Sequence, residues 1–232
     1  MTAPSAVRAV SFDVDDTLID YSASVPHSLR ELFGPEADPL LWQALIDALY
    51  PRYLAGGLTY EAYLRTRMAA MLTALGHPVP DAAGLDELER RRRTAAESRL
   101  RLYPDVPGCL AMLREAGLPL ALLSNADGPQ QRRRLDVVGL TGLFDVIVIS
   151  GEAGVAKPDP AAFGLVRARL GVDHVAHVGD DPSADAEGAL GAGFLPVLVD
   201  RDERTRAVPP GVLRVGDLRA VPALLKHVGR GV

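Results

Sequence analysis

Residues 7–17 read VRAVSFDVDDT, a short apolar, β-branched and aromatic run that ends in three carboxylates within four positions. The run from Val7 to Asp13 has the composition of a buried strand, so the acids stand where the chain leaves a sheet. Packing carboxylates together at a strand end is unfavourable without a cation to answer them. One such Asp would read as a polar turn. Asp13 and Asp15 alternate so that both can aim at one point, with the Thr17 hydroxyl two residues on, and together they read as a site.

Outward from that stretch the pattern changes twice. After Asp20 the spacing is helical for four segments, SVPHSLRELF, DPLLWQALIDALYPRYLAG, TYEAYLRTRMAAMLTALG and GLDELERRRRTAAESRLRL, with Gly or Pro between them. Tyr103-Pro104-Asp105 closes this all-helical block. From there helices alternate with the apolar runs PLALLSN, FDVIVISG, HVAHVGDD and LPVLVD, followed by the stretch VLRVGDL and a last helix, LRAVPALLKHV. Apolar strands separated by helices predict a parallel sheet covered on both faces, a doubly wound α/β core. Ligands of such sheets bind beyond the carboxyl ends of the strands. Four places qualify: residues 13–17, Ser124-Asn125, residues 151–157 and residues 179–185.

Composition narrows the function. The chain has 232 residues, 48% apolar and 24% charged, enough for one or two globular domains. No apolar run approaches the roughly 18 to 20 residues of a membrane span, and no secretory signal is visible, so a soluble, cytoplasmic protein with no membrane partner is expected. A net charge of -5 argues against a nucleic-acid partner, which would need a basic surface. The single Cys109 cannot form an intrachain disulfide and reads as a helix position facing a core. Of 25 basic residues only Lys157 and Lys226 are lysines. The run Arg90 to Arg93, with acidic neighbours, reads as a solvated helix face.

Where arginine serves nearly everywhere, a lysine is informative. Lys157 lies in SGEAGVAKPDPAAF, in a loop after a strand and ahead of a helix that has Asp159 as N-cap and Pro160 at its first position. A compact ammonium there suits an anionic substrate. In VGDDPSAD, Asp181 precedes Pro182 and is explained as an N-cap. Asp180 has no such local use and can reach the same point as Asp13. Asp185, in the first turn of the helix, reads equally as a carboxylate supporting the site and as plain stabilisation of the helix dipole. The Ser124 hydroxyl and the backbone N–H groups after it have the makings of a phosphate cradle.

Taken in order, DVDDT, the serine of LLSNAD, the lysine of VAKPDP and GDDPSAD resemble the four signatures of the haloacid dehalogenase superfamily, in its phosphatase-like branch. The resemblance implies a Rossmann-like core of residues 1–18 and 103–232 with a helical cap inserted at residues 19–102. It implies Mg²⁺ held by the Asp13 side chain, the Asp15 backbone carbonyl and Asp180, as suits a cation that takes oxygen ligands. Asp13 is then the nucleophile and Asp15 the acid/base. Ser124, Asn125 and Lys157 bind phosphate, with Thr17 and Asp185 in support. The substrate implied is a small phosphorylated metabolite, and the assembly a monomer or homodimer. Rival readings on the same fold are a metal-independent dehalogenase, a phosphomutase and a non-catalytic binding protein. Tyr21, Arg52, Tyr53 and Arg65 are candidate substrate contacts in the cap, although packing or exposure explains each as well.

Overall fold

The computed structural model describes residues 6–203 and 208–228. Strand β1 (Ala9–Phe12) is followed by four helices, α1 (Val25–Phe33), α2 (Pro39–Leu54), α3 (Tyr60–Ala74) and α4 (Ala82–Glu97). Helix α5 (Val106–Glu115) opens an alternation of β2 (Leu120–Ser124), α6 (Gly128–Val137), β3 (Val146–Ile149), the single-turn α7 (Ser150–Ala153), α8 (Pro160–Leu170) and β4 (Val175–Gly179). The short α9 (Gly188–Gly191), β5 (Leu195–Val199), β6 (Leu213–Val215) and α10 (Val221–Val228) complete it.

The six strands form one parallel sheet in the order β3-β2-β1-β4-β5-β6. The chain builds outward from β1 to one side, then crosses to β4 and builds to the other. The carboxyl end of β1 therefore lies at the point where the winding reverses, which is where a doubly wound sheet opens its crevice. Ala9, Val10 and Phe12 of β1 and Leu120 to Leu123 of β2 are buried, and Phe163 and Val166 of α8 pack on the sheet beside Ala121 and Leu123. The predicted α/β class is what the chain adopts.

The apolar stretch 212–218 contributes a sixth strand at the sheet edge, with the charged Arg214 at its centre exposed. Two local readings need correction. Ser150 to Ala153, read as part of a loop, make one helical turn. The helix expected from Pro182 is split: Pro182–Glu187 wind more widely, with Ala186 N–H reaching Asp181 O at 3.2 Å, before α9 begins. Among the described residues no helix is long and apolar enough to cross a membrane.

The chain divides into two compact units, one reaching to Asp20 and resuming at Arg101, the other Tyr21–Leu100. Within the first unit the outgoing and returning segments pair: Asp20 N–H donates to Arg101 O at 2.9 Å, Tyr103 N–H donates to Leu18 O at 3.0 Å, and Ile19 bridges Leu102 in antiparallel fashion.

The second unit is helices α1 to α4 around Leu29, Trp42, Met68, Met71 and Leu85. Its polar centre corrects the reading of Arg90 to Arg93 as a solvated face. Arg90 does point outward, paired with Glu87 at 2.5 Å. Arg92 is buried and grips Glu89 through Nη2 at 2.7 Å and Nε at 2.9 Å, and Arg67 and Arg93 reach the same carboxylate at 3.2 and 3.0 Å. The Arg67 guanidinium lies 4.3 Å over the Trp42 ring. Of the four cap-contact candidates, Arg65 is tied to Asp86, Tyr21 accepts from Arg92, Tyr53 stacks among Tyr50, Tyr60 and Tyr63, and Arg52 is exposed.

Burial by itself would raise the Glu89 carboxyl, but Arg92 first, then Arg67 and Arg93, hold it well below its ordinary 4.5. A depressed carboxyl stabilises the fold fully above its unfolded value and loses that contribution as pH falls below about 4.5. Glu89→Gln leaves two buried guanidinium groups and the half-buried one of Arg93 without their shared anion and is expected to destabilise the unit by roughly 3 to 5 kcal/mol at neutral pH. Urea unfolding of the variant checks it; a midpoint equal to the parent's would show that the ion cluster contributes nothing.

Candidate active site

Asp13 stands one residue beyond β1 and is kept in register by its N–H, which donates to Val178 O of β4 at 2.9 Å. The chain then folds back at once. Leu18 and Ile19 N–H both donate to Val14 O at 2.9 Å, and Asp16 turns the corner at φ 62°, a left-handed conformation that Asp tolerates better than most residues. Thr17 Oγ1 donates to Asp180 Oδ1 at 2.9 Å, and the Thr17 carbonyl accepts from Arg201 at 2.9 Å. Thr17 therefore fastens the first loop to the end of β4.

Lys157 is only 2% exposed. Its Nζ donates to Asp13 Oδ1 at 2.5 Å and to Asp185 Oδ1 at 2.6 Å. The lysine segment is set by Asn125, whose Oδ1 accepts from Lys157 N–H at 2.8 Å while its Nδ2 donates to Lys157 O at 2.8 Å. Asn125, expected to bond phosphate, thus also holds the backbone of Lys157 with Oδ1 and one Nδ2–H. Ser124 closes β2 and is buried. Of the backbone donors expected to follow it, the Ala126 N–H is already given to Ser150 Oγ at 3.0 Å.

Asp185 curls back over Gly179, where a Cβ would lie 2.2 Å from the Asp185 Cγ, so only glycine permits that approach. Both its oxygens are occupied. Oδ1 takes Lys157 and His177 Nε2, the latter at 3.0 Å, and Oδ2 takes Asp181 N–H at 3.0 Å. Asp181 itself accepts from Ser183 and Ala184 N–H, as an N-cap does. His177, buried within β4, also meets Ser11 Oγ at 3.1 Å and sets its ring edge-on to Phe163. Burial lowers the His177 pKa against the pull of Asp185, so the ring is neutral, with Nε2–H toward the carboxylate and Nδ1 toward the Ser11 hydroxyl.

Asp13, Asp180 and Asp185 offer oxygens that all lie within 4.8 Å of one another. Lys157 is the cation among them. Burial pushes the Asp13 carboxyl up to about 7 in spite of Lys157, and burial with the charges of Asp13, Asp185 and Asp16 pushes Asp180 well above the carboxylate range. Asp185 goes the other way: Lys157 and His177 outweigh its burial and hold it well below the ordinary value. The cluster thus carries more carboxylate than its own cation answers, and its oxygen donors are those a hard divalent cation prefers. Asp15 faces a different partner, Arg134 of α6, at 2.5 Å.

The motif residues from all four strand ends thus lie in one half of the molecule, and His177, Arg134 and Arg201 join them without having been singled out from sequence. A model of the family described as haloacid dehalogenase-like hydrolase matches residues 7–193. Phosphoserine phosphatase of Thermus thermophilus is 38% identical over 200 residues, which cover 82% of this chain and 77% of that protein. The solved structure of the putative HAD-hydrolase YfnB of Bacillus subtilis, bound to magnesium, matches with a TM-score of 0.82 at 25% identity, over 95% of this chain and 99% of that one. L-2-haloacid dehalogenase of Xanthobacter autotrophicus matches with a TM-score of 0.75 at 25% identity, over 95% and 98%.

Proposed function

The chain belongs to the haloacid dehalogenase-like hydrolases, and from that premise we propose that it is a Mg²⁺-dependent phosphatase of a small phosphomonoester, working through an aspartyl phosphate on Asp13. The observation that carries this reading is the surplus of buried carboxylate around Asp13 and Asp180, which a divalent cation would answer. Asp13, Asp180 and the Asp15 backbone carbonyl would hold the metal, because both oxygens of Asp185 are already engaged. When bound, Mg²⁺ supplies a Lewis acid that offsets phosphoryl charge.

The chain's own residues then divide the work. Asp13 attacks phosphorus in line, forming the acyl phosphate as the leaving oxygen departs. Asp15 gives that oxygen a proton and later takes one from the water that hydrolyses the acyl phosphate. Lys157, fixed between Asp13 and Asp185, neutralises phosphoryl charge where it develops, and the Ser124 hydroxyl bonds a phosphoryl oxygen. Asn125 holds the Lys157 segment and stands beside Ser124 among the phosphate-binding residues. His177 orients Asp185, which in turn orients Lys157. Residues 1–18 and 103–232 act as the catalytic core, and residues 19–102 as a cap that selects the substrate.

Turnover of an aryl phosphate is expected to vanish in excess chelator and to return with Mg²⁺. Full activity in the chelator would sink this reading and favour halide displacement from carbon, the reaction of the metal-independent dehalogenases of this fold. Among phosphorylated metabolites, O-phosphoserine belongs first in the substrate screen because of the 38% identical relative.

A further inference from the structure

Helix α6 begins directly after the Ser124 strand end, with Asp127 as its N-cap. Its sequence GPQQRRRLDV carries three consecutive arginines, and they do different things. Arg132 points outward to Glu152 at 2.6 Å. Arg134 turns inward and is 5% exposed. Its Nη1 donates to Asp15 Oδ2 at 2.5 Å and to Gln131 Oε1 at 3.2 Å. Gln131, one helical turn earlier on the same face, is fully buried. The other oxygen of Asp15, Oδ1, is shielded from solvent and has no hydrogen-bond partner among the described residues.

A guanidinium is an expensive way to fill the space between a helix and a strand end, since an apolar side chain of similar volume is as stable or more so. What an ion pair adds is a fixed geometry for both partners. We propose that Arg134 is a positioning residue for Asp15: it clamps Oδ2 in one rotamer, with Gln131 steering the guanidinium, so that the carboxyl works from one fixed position. The inference rests on the phosphatase reading, in which Asp15 must serve two half-reactions from one position, first toward the leaving oxygen and then toward water. A carboxylate free to swing among rotamers would lose both, because a displacement of about 1 Å in a reacting group can lower a rate by roughly 10²-fold.

The test is steady-state and quench kinetics of Arg134→Met, Arg134→Gln and Arg134→Lys on an aryl phosphate with Mg²⁺. Arg134→Met is expected to lower kcat by roughly 10- to 100-fold with KM changed by no more than about two-fold, the mark of an interaction that matters to the chemical steps and not to binding. Acid-quenched enzyme should then carry phosphate on the peptide containing Asp13, since hydrolysis of the acyl phosphate depends on Asp15. Arg134→Lys should recover much of the loss, because a single donor to Oδ2 suffices. In an Asp15→Asn background Arg134→Met should cost nothing further, as expected of residues acting as one unit.

Unchanged kcat in the Met variant, whatever its melting temperature, would make Arg134 purely structural. A raised KM at full kcat would make it a substrate ligand, and an undiminished loss in the Asp15→Asn background would uncouple it from Asp15; each overturns the proposal. Should Arg134→Met not fold, Arg134→Gln, which keeps an amide donor in the same space, decides by the same readouts. Failure of the wild-type enzyme to turn over any phosphomonoester would sink the phosphatase reading itself, whereas a fully active wild type beside an unimpaired Met variant sinks only the role of Arg134.

Discussion

The Asp13→Asn enzyme is expected to lose turnover of an aryl phosphate by on the order of 10⁴-fold or more, and to form no phosphoenzyme. The amide keeps the shape of the side chain at the end of β1 but cannot attack phosphorus, and it replaces the carboxylate to which Lys157 donates at 2.5 Å. Asp15→Asn should behave differently, although a simple metal-site view would treat the two acids alike. It retains the nucleophile and, if the backbone carbonyl is what Asp15 gives to the metal, the metal site as well; what it deletes is the proton relay. An aryl leaving group departs with little acid assistance, whereas water attacking the acyl phosphate still needs a base. The Asp15→Asn enzyme should therefore accumulate a phosphoryl adduct, read by mass on the Asp13 peptide after acid quench. An adduct on another residue, or substantial turnover by Asp13→Asn, would show that Asp13 is not the nucleophile.

Lys157→Met should come close to the same loss of activity and add a loss of stability. The ammonium is buried between Asp13 and Asp185, and both carboxylates depend on it. Removing one partner from a buried ion pair leaves the other charges unanswered, an effect of roughly 3 to 5 kcal/mol. Lys157→Arg separates the charge from its shape. The planar guanidinium is larger than the slot between the two carboxylates and cannot act as a point charge there, so turnover should fall by at least about ten-fold with the charge kept. Thermal melts and kcat measured together resolve the two effects. A near-normal kcat in Lys157→Arg would mean that a generic positive charge is enough at this position.

The strand ends are legible in the sequence because each couples an apolar run to a polar residue with no local use. Asp13, Ser124 and Asp180 are found that way, and Lys157 stands out in a chain that otherwise favours arginine. The supporting residues lack such a signal. His177 lies inside HVAHVG, whose apolar character predicts a strand and nothing more. Its use appears only when Asp185 is brought back across Gly179, a contact between residues eight apart that no periodicity encodes. Arg134 and Arg92 hide in basic runs, where exposed neighbours mask the side chains that turn inward. A trace of each was available: Gln131, Arg134 and Leu135 share one helical face, as do Leu85, Glu89 and Arg92, and a charged residue in line with a buried leucine is a candidate for a buried pair. Asn125 illustrates a different limit. Its polar type at a strand end is legible, but its grip on the backbone of Lys157, thirty-two positions later, is a long-range contact that no local pattern encodes.

The paired segments at Leu18 to Asp20 and Arg101 to Tyr103 have an evolutionary consequence. An insertion whose two ends are already joined by backbone hydrogen bonds makes no demand on the length of what lies between them. Doubling the intervening chain adds only about 0.6 kcal/mol of closure entropy, so the doubly wound half can keep its fold while the helical half is lengthened, shortened or exchanged. The junction acts as a socket, through which a lineage can exchange the helical insertion and leave the strand order of the sheet undisturbed.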